Sequence, residues 1–367
     1  MRAAVLPAPH ADLAIEEIPI PQPRAGEVLV KVAGCGVCHT DLHVIKAEVA
    51  FPTPCVLGHE ISGTVVAVAD DTDAPAVGSR VVGAFIMPCG SCRFCARGRD
   101  DLCERFFALN RLRGCLYDGT TRLRRGDGQP LWMYSMAGLA EYCVVPATGV
   151  FALPDELPIV ESAVYGCSIL TAYGAVRHAA DLRLGETVAV VAIGGVGLNL
   201  VQLAHAFGAR QIIAVDISGD RLKAATDLGA TSVVNGSEQD VVSAVRELTD
   251  GEGVDVAFEA LGRPQTFEQA FDLVRDGGRM VAIGIAAGPT TASIGITRLV
   301  RRGIRVIGSY GGRTRSDMPE ILRLATEGLI RAERMVTERV PLAEANNAYQ
   351  ALERGQIVGR AVVTPSE

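Results

Sequence analysis

From residue 187 to residue 307 the chain repeats one grammar, a short continuously apolar run followed by a segment of helical periodicity. Residues 187–193 read as a strand and 195–207 as a helix, then 211–216 as a strand and 221–228 as a helix. A short strand at 232–234, a helix at 241–248, a strand at 254–258, a helix near 267–274 and strands at 279–285 and 304–307 continue the alternation. Strands without polar alternation are covered on both faces, and helices between them are the crossovers that parallel pairing requires. The fold class is therefore α/β, with a doubly wound parallel sheet.

The first strand–helix junction of this region reads Ala192-Ile193-Gly194-Gly195-Val196-Gly197. In a dinucleotide-binding turn of the form G-x-G-x-x-G, the second glycine admits the pyrophosphate to the backbone and the third lets helix pack on strand. Gly194 and Gly197 occupy those positions, and Ala192 stands where the tight-turn glycine is expected. Asp216 ends the next strand, 216 − 197 = 19 residues on. A carboxylate there accepts from both ribose hydroxyls and repels a 2′-phosphate, which favours NAD over NADP. The same placement is compatible with an acid that only caps the following helix.

Before residue 168 the pattern is different. Valine-rich stretches at 28–32, 61–68, 77–82 and 140–145, separated by glycines and prolines, read as an antiparallel, barrel-like β domain. Helical periodicity returns at 319–325 and 343–352, in a tail placed to fold back onto that domain. Inside the β-rich part lies Cys89-Gly-Ser-Cys92-Arg-Phe-Cys95 followed by Cys103, that is C-x2-C-x2-C-x7-C. Four thiolates at these separations converge on one tetrahedral ion, and a structural zinc is expected. A ferredoxin-type iron–sulfur run closes its fourth cysteine after three residues and follows it with proline. Here the gap is seven, and Glu104 follows.

Val37-Cys38-His39-Thr40-Asp41-Leu42-His43 crowds a thiol, two imidazoles, a hydroxyl and a carboxylate into one short segment. Gly58-His59-Glu60 adds an imidazole beside an acid, and Cys167 adds a thiol where the two grammars meet. Cys38, His59 and Cys167 would make a Cys2His site with an open fourth position, as a catalytic zinc requires. The net charge of −7 argues against nucleic acid or an anionic membrane as partner. The arginines at 105, 111, 113, 122, 124 and 125 read as a solvated loop and hairpin. The start, broken by Pro7 and Pro9, does not resemble a signal peptide, and the apolar stretch 187–203 is interrupted by glycines, Asn199 and Gln202. A cytoplasmic location is expected, where ten cysteines serve as metal ligands sooner than as disulfides.

Gly36-Val37-Cys38-His39-Thr40-Asp41-Leu42-His43, Gly58-His59-Glu60, the four-cysteine run, Gly166-Cys167 and the glycine turn, in that order, resemble the zinc-dependent alcohol dehydrogenases of the medium-chain dehydrogenase/reductase family. The segment around Cys38 is similar to that of the yeast-type enzymes. The resemblance implies a GroES-like catalytic domain over 1–167, with a structural-zinc lobe at about 86–106. It further implies a Rossmann NAD-binding domain over 168–309 and a return to the catalytic domain over 310–367. Carried over by position, Cys38, His59 and Cys167 match the ligands of a catalytic zinc, and Cys89, Cys92, Cys95 and Cys103 those of a structural one. Asp41 matches a carboxylate that orients the histidine ligand, and Glu60 an acid beside the metal. Thr40 and His43 match a proton relay, and His39 a pyrophosphate contact. Thr171, Gly194, Gly195, Val196, Gly197, Asp216, Arg221 and Ile285 match cofactor contacts. Phe85, Trp132, Met133 and Tyr134 fall in segments that line the substrate pocket.

The activity implied is reversible hydride transfer between a small alcohol and NAD, or between NADH and an aldehyde or ketone, by a homodimer or homotetramer. Gly308-Ser309-Tyr310-Gly311-Gly312-Arg313-Thr314-Arg315 carries one residue more than the yeast-type segment, so either Arg313 or Arg315 is the cofactor arginine. That segment is also similar to relatives resembling short-chain semialdehyde reductases, which makes an NADP-linked reductase the alternative. A non-enzymatic zinc-binding protein is the reading from another class.

Overall fold

The computed structural model describes residues 1–286 and 288–366. It divides into two units: Met1–Leu170 with Gly312–Glu367, and Thr171–Gly311.

The first unit is built on the strand Glu27–Gly36, in which Val28, Leu29, Val30 and Val32 are buried and Lys31 is exposed. It pairs antiparallel with Ile61–Val68, Tyr142–Pro146 and Arg360–Thr364. Ile61–Val68 in turn carries Arg80–Gly83 and then Val150–Ala152. The sheet is thus completed by the strand Arg360–Thr364. Antiparallel pairing is not universal here, contrary to the sequence expectation. Val336–Pro341 pairs parallel with Arg360–Thr364, because the helix Ala345–Glu353 makes the crossover between them. Cys55–Val56 also pairs parallel, with Pro130–Met133.

The second unit holds a six-stranded sheet in the order Ser232–Asn235, Gln211–Asp216, Thr187–Val191, Val254–Glu259, Val274–Ala282, Arg305–Gly308, every pairing parallel. Its first strand lies in the interior and the order reverses there, which is the doubly wound Rossmann arrangement. Ala189, Val191, Ile213, Val215 and Met280 meet Val241, Val245, Ala270 and Phe271 from the helices in one core. Two elements of this unit differ from the periodicity by three residues or more at an end. The helix expected near 267–274 spans Pro264–Leu273, opening on a proline whose missing N–H costs nothing there. The strand expected at 279–285 spans Val274–Ala282, because the ladder to Val254–Glu259 runs on through a bulge at the Asp276-Gly277-Gly278 stretch.

Candidate metal centres and nucleotide-binding turn

Cys38 lies just beyond the strand Glu27–Gly36 and immediately precedes the helix His39–Ile45. His59 and Glu60 lead into Ile61–Val68, and Cys167 precedes the helix Ser168–Gly174. Two glycines make this convergence possible. A Cβ on Gly36 would lie 2.1 Å from Glu60 Oε2, and one on Gly166 would lie 1.8 Å from the Gly83 carbonyl. The ligand atoms of Cys38, His59, Glu60 and Cys167 all lie within 4.8 Å of one another, and all four residues are buried.

His59 Nδ1 is 3.0 Å from Asp41 Oδ1. That leaves Nε2, buried and without a hydrogen-bond partner among the described residues, as the nitrogen available to an ion. Arg360, a buried cation, places Nη2 3.0 Å from Glu60 Oε1 and 3.5 Å from Cys38 Sγ. The hydrogen bond from Cys167 lowers the Cys38 thiol well below its usual range, and Arg360 and His59 add to this against the pull of burial. Cys167 moves in the opposite direction, first through the same hydrogen bond and then through burial. Burial also opposes charge on His59, yet Asp41 and Cys38 raise it to about 10. Burial pushes Glu60 up to about 7 against the attraction of Arg360. Two soft sulfurs, an orphaned imidazole nitrogen and a nearby carboxylate are a donor set that fits zinc.

Cys89, Cys92, Cys95 and Cys103 likewise bring their sulfurs within 4.8 Å of one another. The lobe around them is made of short turns at Cys95–Arg97 and Asp100–Leu102, followed by Phe106–Arg111. Backbone N–H groups point at sulfur, from Cys89 to Cys103 Sγ at 3.2 Å and from Cys92 to Cys89 Sγ at 3.3 Å. Against burial, such donors from Cys95 and Glu104 lower Cys92 to about 6, favouring the thiolate that a metal needs. Asp100, 1% exposed, is gripped by Arg315 from the helix Thr314–Thr326, with Nη2 2.7 Å from Oδ1 and Nε 3.1 Å from each oxygen. Arg315 Nη2 also donates to the Cys95 carbonyl at 2.6 Å.

The other residues singled out by sequence fall around these centres unevenly. His39 is exposed, and Thr40 and His43 are half-buried on the helix that carries Asp41. His43 Nδ1 forms a short contact with Glu48. The rings of Phe85 and Tyr134 stand edge-on to His59, with centroids 6.0 and 6.4 Å away. The Tyr134 hydroxyl donates to the Thr40 carbonyl at 3.4 Å. Met133 is fully buried, its sulfur accepting from Arg122 N–H, and Trp132 lies opposite Cys55 in the strand ladder. Local spacing gave no sign of Arg360, Tyr349 or Glu48. For Arg360 one signal existed, a charge in Arg360–Thr364, a strand buried along its whole length.

In the second unit, Ala192 takes the turn with φ of +75° despite its side chain. A Cβ on Gly197 would lie 2.0 Å from the Ala192 carbonyl, whereas one on Gly194 would meet nothing within 4 Å. Gly197 therefore serves helix packing, and Gly194 leaves open space in front of the helix Gly195–Ala206, whose N-terminus suits a phosphate. Asp216 Oδ2 accepts from Ile193 N–H at 2.7 Å, and Oδ1 accepts from Ile217 and Ser218 N–H at 2.8 and 3.0 Å. Arg221 approaches the same carboxylate at 4.0 Å. Thr171 is buried in the helix Ser168–Gly174, and Ile285 is half exposed beyond its strand.

A GroES-like unit with two candidate zinc centres and a Rossmann unit with a dinucleotide turn define a zinc-binding dehydrogenase. Residues 24–155 match the family model described as the alcohol dehydrogenase GroES-like domain, and 195–327 match that of the zinc-binding dehydrogenases. The chain is 36% identical to an alcohol dehydrogenase of Geobacillus stearothermophilus over 100% of both chains. It is 33% identical to an S-(hydroxymethyl)glutathione dehydrogenase of Saccharomyces cerevisiae, over 100% of this chain and 96% of that one. The crystal structure of benzyl alcohol dehydrogenase from Acinetobacter calcoaceticus superposes with a TM-score of 0.92 at 32% identity, covering 99% of this chain and 98% of that one. The chain belongs to the zinc-dependent alcohol dehydrogenases of the medium-chain dehydrogenase/reductase family, oxidoreductases that act on CH–OH groups. Among the described residues no helix is long and apolar enough to cross a membrane.

Proposed function

We propose that this protein is an NAD(H)-linked alcohol dehydrogenase and carbonyl reductase for small molecules, with Cys38, His59 and Cys167 holding a catalytic zinc and the four-cysteine lobe a structural one. The observation that carries the reading is His59, whose Nδ1 is committed to Asp41 while its buried Nε2 stands among two thiols and a carboxylate. Zinc bound there supplies the Lewis acidity that favours hydride exchange between an alcohol carbon and nicotinamide. Asp41 holds the imidazole in the tautomer that leaves Nε2 free, and Arg360 offsets the negative charge collected by Glu60 and Cys38. Thr40 and His43 lead the alcohol proton outward in oxidation, with His39 at the cofactor pyrophosphate, and Glu48 holds His43 at the partly exposed end of that path. Phe85 and Tyr134 form an aromatic wall beside His59.

Gly194, Gly195, Val196 and Gly197 receive the pyrophosphate, and Asp216 the adenosine ribose, with Thr171, Arg221 and Ile285 as further contacts. Arg315 is engaged by Asp100, so Arg313 is the cofactor arginine in this reading. All ten cysteines are free, which suits a reducing cytoplasm. The exposed edge strand Arg305–Gly308, with Ile296 and Val300 exposed on the preceding helix, supports homo-oligomer formation.

A panel of alcohols, followed by NADH absorbance on protein of measured zinc content, tests the activity. Replacing Asp216 by asparagine tests cofactor choice: kcat/KM should move toward NADP relative to NAD, and unchanged selectivity overturns the NAD assignment. The carboxylate also ties Ile193 and Ser218, so the variant should lose stability as well.

A further inference from the structure

Asp41 is fully buried in the helix His39–Ile45. A carboxylate removed from water needs donors at both oxygens. Oδ1 accepts from Gly58 N–H at 3.1 Å and faces His59 Nδ1 at 3.0 Å. Oδ2 accepts from the Tyr349 hydroxyl at 3.0 Å. Tyr349 is 3% exposed and comes from the helix Ala345–Glu353, 308 positions further along the chain. That helix is seated independently of the hydroxyl. Asn346 exchanges hydrogen bonds with the Leu13 backbone at 2.8 and 2.9 Å, and Glu353 pairs with Lys46 at 2.9 Å. Burial, followed by the charge of Asp41, raises the phenol well above its usual range, so it remains a donor.

We propose that Tyr349 is a positioning residue for the Cys38–His59–Cys167 centre: its hydroxyl pins Asp41 Oδ2, so that Oδ1 holds the His59 ring in the one orientation that presents Nε2 to the ion. The proposal rests on His59 being a zinc ligand, as argued above. Without the hydroxyl, Oδ2 is a buried acceptor with no donor, and the carboxylate turns away from its alignment with the imidazole. Partners of a ligating histidine shift metal retention even though they never touch the metal. The two acids around this centre are then both set from the C-terminal return, Asp41 by a neutral donor and Glu60 by the cation of Arg360.

Full-length wild-type protein, Tyr349→Phe, Asp41→Asn and the double variant are loaded with zinc and released into excess chelator. In Tyr349→Phe the metal of the Cys38–His59–Cys167 centre leaves about tenfold faster, the lower end of what loss of such a partner produces. The four-cysteine metal leaves at the wild-type rate. Cobalt in place of zinc shows a shifted d–d band. In the Asp41→Asn background, removing the hydroxyl changes neither readout. Wild-type release and spectrum in a folded Tyr349→Phe protein overturn the proposal, as does an undiminished effect in the Asp41→Asn background. If Tyr349→Phe alone does not accumulate folded but the double variant does, the unpaired carboxylate is the cause and the proposal stands. If both fail while Asp41→Asn folds, the ring and not the hydroxyl matters, and the proposal falls. Wild-type protein whose only zinc sits in the four-cysteine lobe refutes the ligand assignment itself, a result separable from any behaviour of Tyr349.

Discussion

Replacing Arg315 by glutamine should loosen the four-cysteine lobe and leave nucleotide binding alone. Asp100 is nearly dry, and its carboxylate is covered by the Arg315 guanidinium and by Arg315 N–H at 2.9 Å. Breaking a fully buried pair by removing one partner costs about 3–5 kcal/mol, and an exposed pair contributes at most about 1 kcal/mol. The Arg315 side chain is 39% exposed, so water partly replaces it, and the backbone donor survives. A loss of about 2 kcal/mol follows, roughly a 30-fold effect on an equilibrium. The assays are chelator-driven release of the lobe zinc and amide exchange along the helix Thr314–Thr326, both of which should accelerate. Arg315→Lys should recover only part of the loss, because an ammonium cannot span both carboxylate oxygens and the Cys95 carbonyl. NADH affinity should stay at the wild-type value in Arg315→Gln and fall in Arg313→Gln. A variant with unchanged lobe zinc and weakened NADH binding would refute this reasoning and return Arg315 to the cofactor.

Ala192→Gly should stabilise the nucleotide-binding unit. A side chain at φ +75° costs about 1–2 kcal/mol, and glycine returns about 0.4–1 kcal/mol of that through unfolded-state entropy, so thermal unfolding should show a net gain of up to about 1.6 kcal/mol. A net loss of about 0.4–1 kcal/mol, the entropy cost alone, would mean that the turn holds no strain. Zinc uptake by the metal-free protein should strengthen with pH, because His59, raised to about 10, must shed its proton before Nε2 can ligate. Affinity should rise about tenfold per pH unit for each proton displaced, with matching proton release in a pH-stat, and a flat profile contradicts the assignment. Glu48→Gln should slow alcohol oxidation about twofold to fivefold below neutral pH, the scale of an exposed ion pair, and should have no effect once His43 is alanine. An effect that persists without His43 places Glu48 outside the relay.

Much of the fold and the raw materials of both centres were legible in the linear chain. Continuous apolar strands alternating with helices allow few arrangements besides a parallel sheet, and the four cysteines sit close enough in sequence to converge without help from distant segments. Cys38, His59 and Cys167 were also marked out, by chemistry crowded into short motifs. What the chain alone did not contain was the company these residues keep. Ala192 could be seen to depart from the glycine pattern, but its left-handed backbone appeared only in the folded turn. Arg313 and Arg315 are alike in the linear chain, and only the fold pairs one of them, Arg315, with Asp100. Asp216 proved to tie down the glycine turn through Ile193 N–H, a task additional to the ribose contact expected of it.

Arg360 and Tyr349 reach Cys38, Glu60 and Asp41 across 300 positions or more, on a strand and a helix that close the first unit from its far end. Periodicity and motif spacing report on neighbours along the chain, where backbone geometry fixes who can meet. The compensation of a buried charge is a question of which distant side chain arrives in the same dry volume, and only the tertiary structure decides that.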